Sequence, residues 1–220
     1  MSTVTSAPVR RTQAERVEIS GRRMLAAAAE LLAEKGWEAT TAAEIGRRAG
    51  YSRAMVHARF GSKDALLDTL FHSEYEARLN PPVDESASGL QRVHAIFGRL
   101  RELAAEDPMF LELMFVISFE AAKRGSPVRP RIVTWMESIA DAVEDALRVG
   151  VVDGSVRPEV DVTAAASEFL GAGIGIAYGW IVLPGRYDLV AELERLRMRI
   201  DNACCPPRGA PGRGRTRASD

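Results

Sequence analysis

The spacing of apolar residues along this chain is helical almost throughout. Leu25, Ala28, Leu31 and Leu32 recur at intervals of three and four over residues 22–35, the period of a helix with one buried face. The run Ala26 to Ala29 adds strong helix propensity. Gly36 ends this element, and Trp37 is expected to pack in a core beneath a three-helix unit. Over 41–60 the apolar positions thin to a seam of Ile45, Ala49, Val56 and Phe60, too sparse for one long helix and suited to two short ones. Further helices are predicted over 64–78, 90–105, 109–123, 131–149, 162–183 and 189–204. Val93, Ile96, Phe97, Leu100 and Leu103 stripe the second of these, and Trp135, Ile139, Val143 and Leu147 follow at spacings of four in the fourth. Asn80-Pro81-Pro82, Gly125-Ser126-Pro127 and the polar stretch 150–161 separate them. With no alternating strand pattern and no internal repeat, the expected fold class is all-α.

Capping chemistry sharpens the 41–63 region. Thr41-Ala42-Ala43-Glu44 fits a capping box, Gly50 is placed to end that helix in the left-handed conformation, and Ser52 can cap the next. Gly61 ends the second helix, and Ser62 caps a third whose first turn holds Lys63. Val56 and Phe60 lie on one side of the second helix, whereas Arg53, Ala54, His57 and Ala58 lie on the other. An apolar anchor behind a face of cations and small side chains is the pattern of a helix-turn-helix that enters the major groove of DNA. Arg53 to Arg59 are therefore the expected groove-facing segment, with Thr41, Ser52, His57 and Lys63 as phosphate anchors. The full candidate DNA-binding set is Thr41, Ser52, Arg53, Ala54, His57, Ala58, Arg59 and Lys63.

Charge changes the picture next. The formal net charge of −1 hides an asymmetry. Residues 1–63 carry eleven Lys+Arg against six Asp+Glu, 64–207 carry fourteen against twenty-three, and the last thirteen carry four against one. A basic head on an acidic body is the footprint of a DNA reader joined to a second domain. The expected division is a disordered basic arm (1–15), a helix-turn-helix domain (16–63), a helical ligand-binding and dimerisation domain (64–205) and a disordered tail (206–220). The adjacent Cys204 and Cys205, read as lying in the tail, fit neither a disulfide framework nor zinc spacing. Without a secretory signal after Met1, a reduced cytoplasmic protein is expected. The charge-free run Phe169–Leu183 is shorter than the roughly 20 residues a spanning helix needs, so it is expected to be a buried helix with no membrane role.

The alanine-rich LAAAAELLAEKGWEATT, then AEIGRRAGYS, then RF-GSKDALL, in that order over about 22–70, resemble the tetracycline-repressor (TetR) family of bacterial regulators. Two positions depart from the family: His57 stands where an aromatic, most often tyrosine, is usual, and Gly46 where alanine is common, at a cost of roughly 1 kcal/mol in helix propensity. The resemblance implies three N-terminal helices for DNA and a larger helical body for ligand and dimerisation. It also implies a homodimer on a palindromic operator, and a repressor released by a small lipophilic effector; an activator of the same fold and a protein-interaction module are the alternatives. Gly171, Gly175 and Gly179, four apart on one face, suit a dimer interface over 162–203. Phe97, Met114, Phe119, Trp135 and Phe169 are candidate effector-binding residues. Glu112, Glu120 and Glu168 lie inside apolar runs and are expected at exposed edges; one of them buried would favour a cationic lipophilic ligand. His57, His72 and His94 are dispersed, the last two read as helix-surface residues, and no phosphate loop or nucleophile motif appears. No enzymatic activity, catalytic residue, cofactor or metal is expected.

Overall fold

Helix boundaries follow local capping. The computed structural model describes residues 12–80 and 84–206; Arg10 and Arg11 of the arm, Pro81 and Pro82 of the anticipated break, and the tail from residue 207 lie outside the described residues. Helix α1 (Gln13–Lys35) starts at Thr12, whose side chain forms a reciprocal capping box with Glu15, and stops at Gly36 with φ of 83°. Helices α2 (Ala42–Ala49), α3 (Arg53–Phe60) and α4 (Lys63–Leu70) begin at Thr41, Ser52 and Ser62, each accepting the backbone N–H three residues on. No strand occurs among the described residues.

The chain forms two compact units. One comprises, of the described residues, 12–80 together with Asp107–Met136. Here α1 packs on α2, α4 and the later helix α7 (Pro108–Glu120). The helix expected over 64–78 is interrupted. After α4 it widens into a π-helical turn at Phe71–Glu76 and finishes as α5 (Ala77–Leu79). The turn carries Phe71 and Tyr75 into the core, where their rings stack at 4.5 Å and Tyr75 meets Trp135 edge-on at 5.8 Å. The Tyr75 hydroxyl donates to the Met114 carbonyl at 2.6 Å, satisfying the polar end of a buried aromatic. Asp107 caps α7 by accepting from Phe110 N, and it also receives Arg78 at 2.9 Å.

The other unit holds, of the described residues, 84–106 and 137–206. It contains α6 (Gly89–Glu106), most of α8 (Arg129–Asp153), α9 (Val162–Val182) and α10 (Leu189–Cys204). The N-terminus of α6 is capped from far along the chain: Gly89 N donates to Asp153 Oδ2 at 2.7 Å and Leu90 N to Ser155 Oγ at 3.2 Å. A Cβ on Gly89 would stand 2.0 Å from Gly150 N, so only glycine allows this approach. His94, read as a surface residue, is half-buried and bonds Asp201 of α10 at 2.8 Å. Cys204 is likewise not in a tail: it ends α10 fully buried, and burial pushes its thiol up to about 11. Gly179 differs from its two companions. A Cβ there would meet the Tyr187 ring at 2.7 Å, whereas Gly171 and Gly175 face open space. Helix α9 is long and apolar enough to cross a membrane by length and composition. The expectation that it is buried holds for one side only, since Ile174, Tyr178 and Val182 are exposed.

Candidate nucleic-acid interface

The helix-turn-helix is stapled to α1 by two ion-pair sets. Lys35 Nζ donates to Glu44 Oε1 at 2.7 Å, and Thr41 N and Oγ1 donate to Glu44 Oε2 at 3.0 and 2.8 Å. Lys35 first, then Thr41, holds the Glu44 carboxyl down to about 2. Arg48 grips both carboxylate oxygens of Glu34, at 2.5 and 2.9 Å, and reaches Glu30 at 3.4 Å. The same contacts raise Arg48 and lower Glu34. Bidentate guanidinium–carboxylate geometry fixes orientation as well as distance, so α2 has a defined pose on α1. Ile45 and Val56 are fully buried behind the motif, and Phe60 is half-buried.

The turn between α2 and α3 explains one departure from the family pattern. Gly50 is left-handed, with φ of 81° and ψ of 29°. Tyr51 N donates to Gly46 O at 2.7 Å, and a Cβ on Gly46 would stand 2.9 Å from the backbone of Tyr51 and Ser52. Helix α2 and the turn therefore meet at closer range than alanine permits.

Arg53, Ala54, His57, Ala58 and Arg59 are all exposed on α3, as are Thr41 and Ser52 beside it. Their hydrogen-bonding capacities differ. The Thr41 hydroxyl accepts from Glu44 N and donates to the Glu44 carboxylate, so its proton is committed. Ser52 Oγ accepts from Met55 N at 3.2 Å, which leaves its O–H for an outside acceptor. His57 Nδ1 lies 3.2 Å from Gly61 O. A carbonyl only accepts, so Nδ1 carries the proton and Nε2 is the outward group. The Arg59 guanidinium reaches α1, 3.0 Å from where a Cβ on Gly21 would be. Lys63 is half-buried: its ammonium donates to the Trp37 carbonyl and sits 4.7 Å from the Trp37 ring centroid. Desolvation lowers its pKa. Sequence reasoning passed over Met55, which is 44% exposed on α3. An apolar residue in so short a helix reads as core; its position four before Arg59 was the available signal.

The five effector candidates divide between the units. Phe97 and Phe169 are buried in the second, with Phe97 against Gly173. Met114 and Trp135 are buried and Phe119 half-buried in the first. Glu112 and Glu168 are exposed, while Glu120 is half-buried, 2.8 Å from the Cβ site of Gly36 and paired with Lys123 at 2.5 Å. No cluster of His, Cys, Asp or Glu able to hold a metal occurs among the described residues.

A capped three-helix unit with a cationic, side-chain-poor α3 turned outward defines a helix-turn-helix regulator. Comparison with known proteins agrees. Residues 24–70 match the family described as bacterial regulatory proteins, tetR family. The chain is 23% identical over 168 residues to the fatty acid metabolism regulator protein of Bacillus subtilis (strain 168), covering 75% of this chain and 85% of that one. It is 26% identical over 154 residues to the HTH-type transcriptional repressor KstR2 of Mycobacterium tuberculosis (strain ATCC 25618 / H37Rv), covering 66% and 74%. The solved SmeT–triclosan complex (SmeT is from Stenotrophomonas maltophilia) shares the fold, with a TM-score of 0.72 and 23% identity over 88% of this chain and 95% of that one. The likeness to the tetR family of bacterial regulatory proteins rests on residues 24–70, the helix-turn-helix unit.

Proposed function

We propose that this regulator is a cytoplasmic homodimeric repressor that leaves its operator when a small lipophilic molecule binds. The observation that carries the reading is the two-sidedness of α3: Val56 is 1% exposed and anchors it, while Arg53, Ala54, Met55, His57 and Ala58 face outward. Arg53 reaches base edges or phosphates, the Nε2 of His57 accepts from a base amino group, Ala54 and Ala58 admit the helix backbone to the groove floor, and Met55 offers apolar contact to a thymine methyl. Ser52 and Lys63 hold phosphates and set register.

One such helix reads few base pairs, and two related by a dyad read palindromic half-sites. Helices α9 and α10 suit a dimer interface: Ile174, Tyr178 and Val182 on the first and Val190 and Met198 on the second are exposed, beside the open Gly171 and Gly175. Two relatives support the regulatory sense, KstR2 being named a repressor and SmeT having been solved with triclosan. An effector that favours the non-binding geometry by about 1–3 kcal/mol changes operator affinity roughly 5- to 150-fold.

The test is fluorescence anisotropy on the DNA upstream of the chain's own gene, titrated at several salt concentrations against unrelated duplexes, with light scattering for mass. A dimer that prefers its own upstream DNA is expected. Equal affinity for every duplex, or none at low ionic strength, ends the reading.

A further inference from the structure

Within the first unit a groove of about 570 Å³ runs between α1 and α7, in the size range of small-molecule sites. Ala26, Ala29 and Ala33 form its α1 wall, and Phe110, Leu113 and Val116 its α7 wall. Alanines at three- and four-residue spacing hold α1's side chains back where larger ones would fill the space. At one end Met109 is 80% exposed, a large apolar side chain with little protein against it. Five ionisable groups line the groove: Arg22, Arg78, Glu30, Asp107 and Glu112.

We propose that this groove binds a lipophilic organic monocation, with its apolar body between the alanine stripe and α7 and its charge at Glu112. The arrangement of charges selects the sign. Arg78 is already paired with Asp107 at 2.9 Å, and its guanidinium lies 3.5 Å from the Phe110 ring centroid. Arg22 pairs with Glu18 at 3.1 Å, and Glu30 is met by Arg48 at 3.4 Å. Glu112 has no ion-pair partner among the described residues. An entering anion meets cations already paired and an uncompensated carboxylate, whereas an entering cation completes the set. Placement gives the site a consequence: α1 also carries Glu30 and Glu34, which hold Arg48 of α2, so an occupant that wedges α1 from α7 acts on the helix that seats the helix-turn-helix. That consequence rests on the effector-responsive reading above; the binding itself does not.

Calorimetry on the full chain, without DNA, tests the site with tetraphenylphosphonium and tetraphenylborate, which share shape and differ in sign. The cation is expected to bind once per chain, and the anion at least about ten-fold more weakly. Glu112→Gln, at an exposed position that tolerates the change, is expected to weaken the cation about five-fold or more. Ala33→Leu, which keeps a good helix former and fills the groove, is expected to abolish binding. Equal binding of the anion, an unchanged affinity in Glu112→Gln, or cation binding that survives Ala33→Leu overturns the proposal. Anisotropy with upstream DNA separates the two readings. DNA binding with no cation binding removes the groove alone, and cation binding by a protein that ignores DNA removes the regulator alone.

Discussion

Replacing Lys63 by alanine distinguishes a structural strut from a pure phosphate anchor. The Lys63 ammonium donates to the Trp37 carbonyl, 26 residues earlier, and lies over the Trp37 ring at 4.7 Å. It thereby ties the first turn of α4 to the turn between α1 and α2. A hydrogen bond from a charged group contributes about 1.5–3 kcal/mol, and a cation over an aromatic face about 0.5–1 kcal/mol at a partly exposed site. Lys63→Ala should therefore cost roughly 2–4 kcal/mol, which for a chain of this size is about 5–15 °C in melting temperature. An ammonium has three protons, so the Trp37 contact leaves capacity for a phosphate. The same variant should then flatten the dependence of log affinity on log salt by about one unit, equally on all duplexes. Thermal unfolding followed by circular dichroism measures the first effect, and anisotropy at four or five salt concentrations the second. A variant as stable as its parent would refute the strut, and a loss confined to one operator sequence would refute the phosphate contact.

Two further expectations concern stability. Glu44 sits at about 2 rather than 4.5, chiefly through Lys35 and then Thr41. A depressed carboxyl stabilises the fold fully above its unfolded pKa and loses that contribution as pH falls through the folded one. Melting temperature should therefore drop between pH 4.5 and 2 more steeply in the parent than in Glu44→Gln, and parallel profiles would discount the staple. In the second unit, Gly89→Ala drives a Cβ to 2.0 Å from Gly150 N and strains the bonds from Gly89 N and Leu90 N to Asp153 and Ser155. Overpacking of about 1–3 kcal/mol plus two bonds of about 0.5–1.5 kcal/mol each should show in urea unfolding. A change under about 0.5 kcal/mol, the scale of ordinary surface substitutions, would mean that α6 and α8 separate at little cost.

The order of residues alone determined the helix-turn-helix and most of the helices, though not the π-helical turn at Phe71–Glu76 that interrupts the one expected over 64–78. Thr41, Ser52 and Ser62 each accept the backbone N–H three positions on, and Gly50 turns left-handed beside them. Such contacts close within one turn and need no partner from elsewhere, so residue identity and spacing are sufficient to read them. The outward face of α3 was legible for the same reason, because a helical period assigns residues to sides. What occupies the space opposite a side depends on the tertiary structure. Only there does Lys63 find Trp37, His94 find Asp201, and Gly179 find Tyr187 while Gly175 finds nothing. Met55 is exposed because Val56 takes the anchoring position, and the effector candidates fall into two units although periodicity treats them alike. A stripe of apolar residues specifies that a face will be covered; which helix covers it, and at what distance, is settled by packing between segments tens of residues apart.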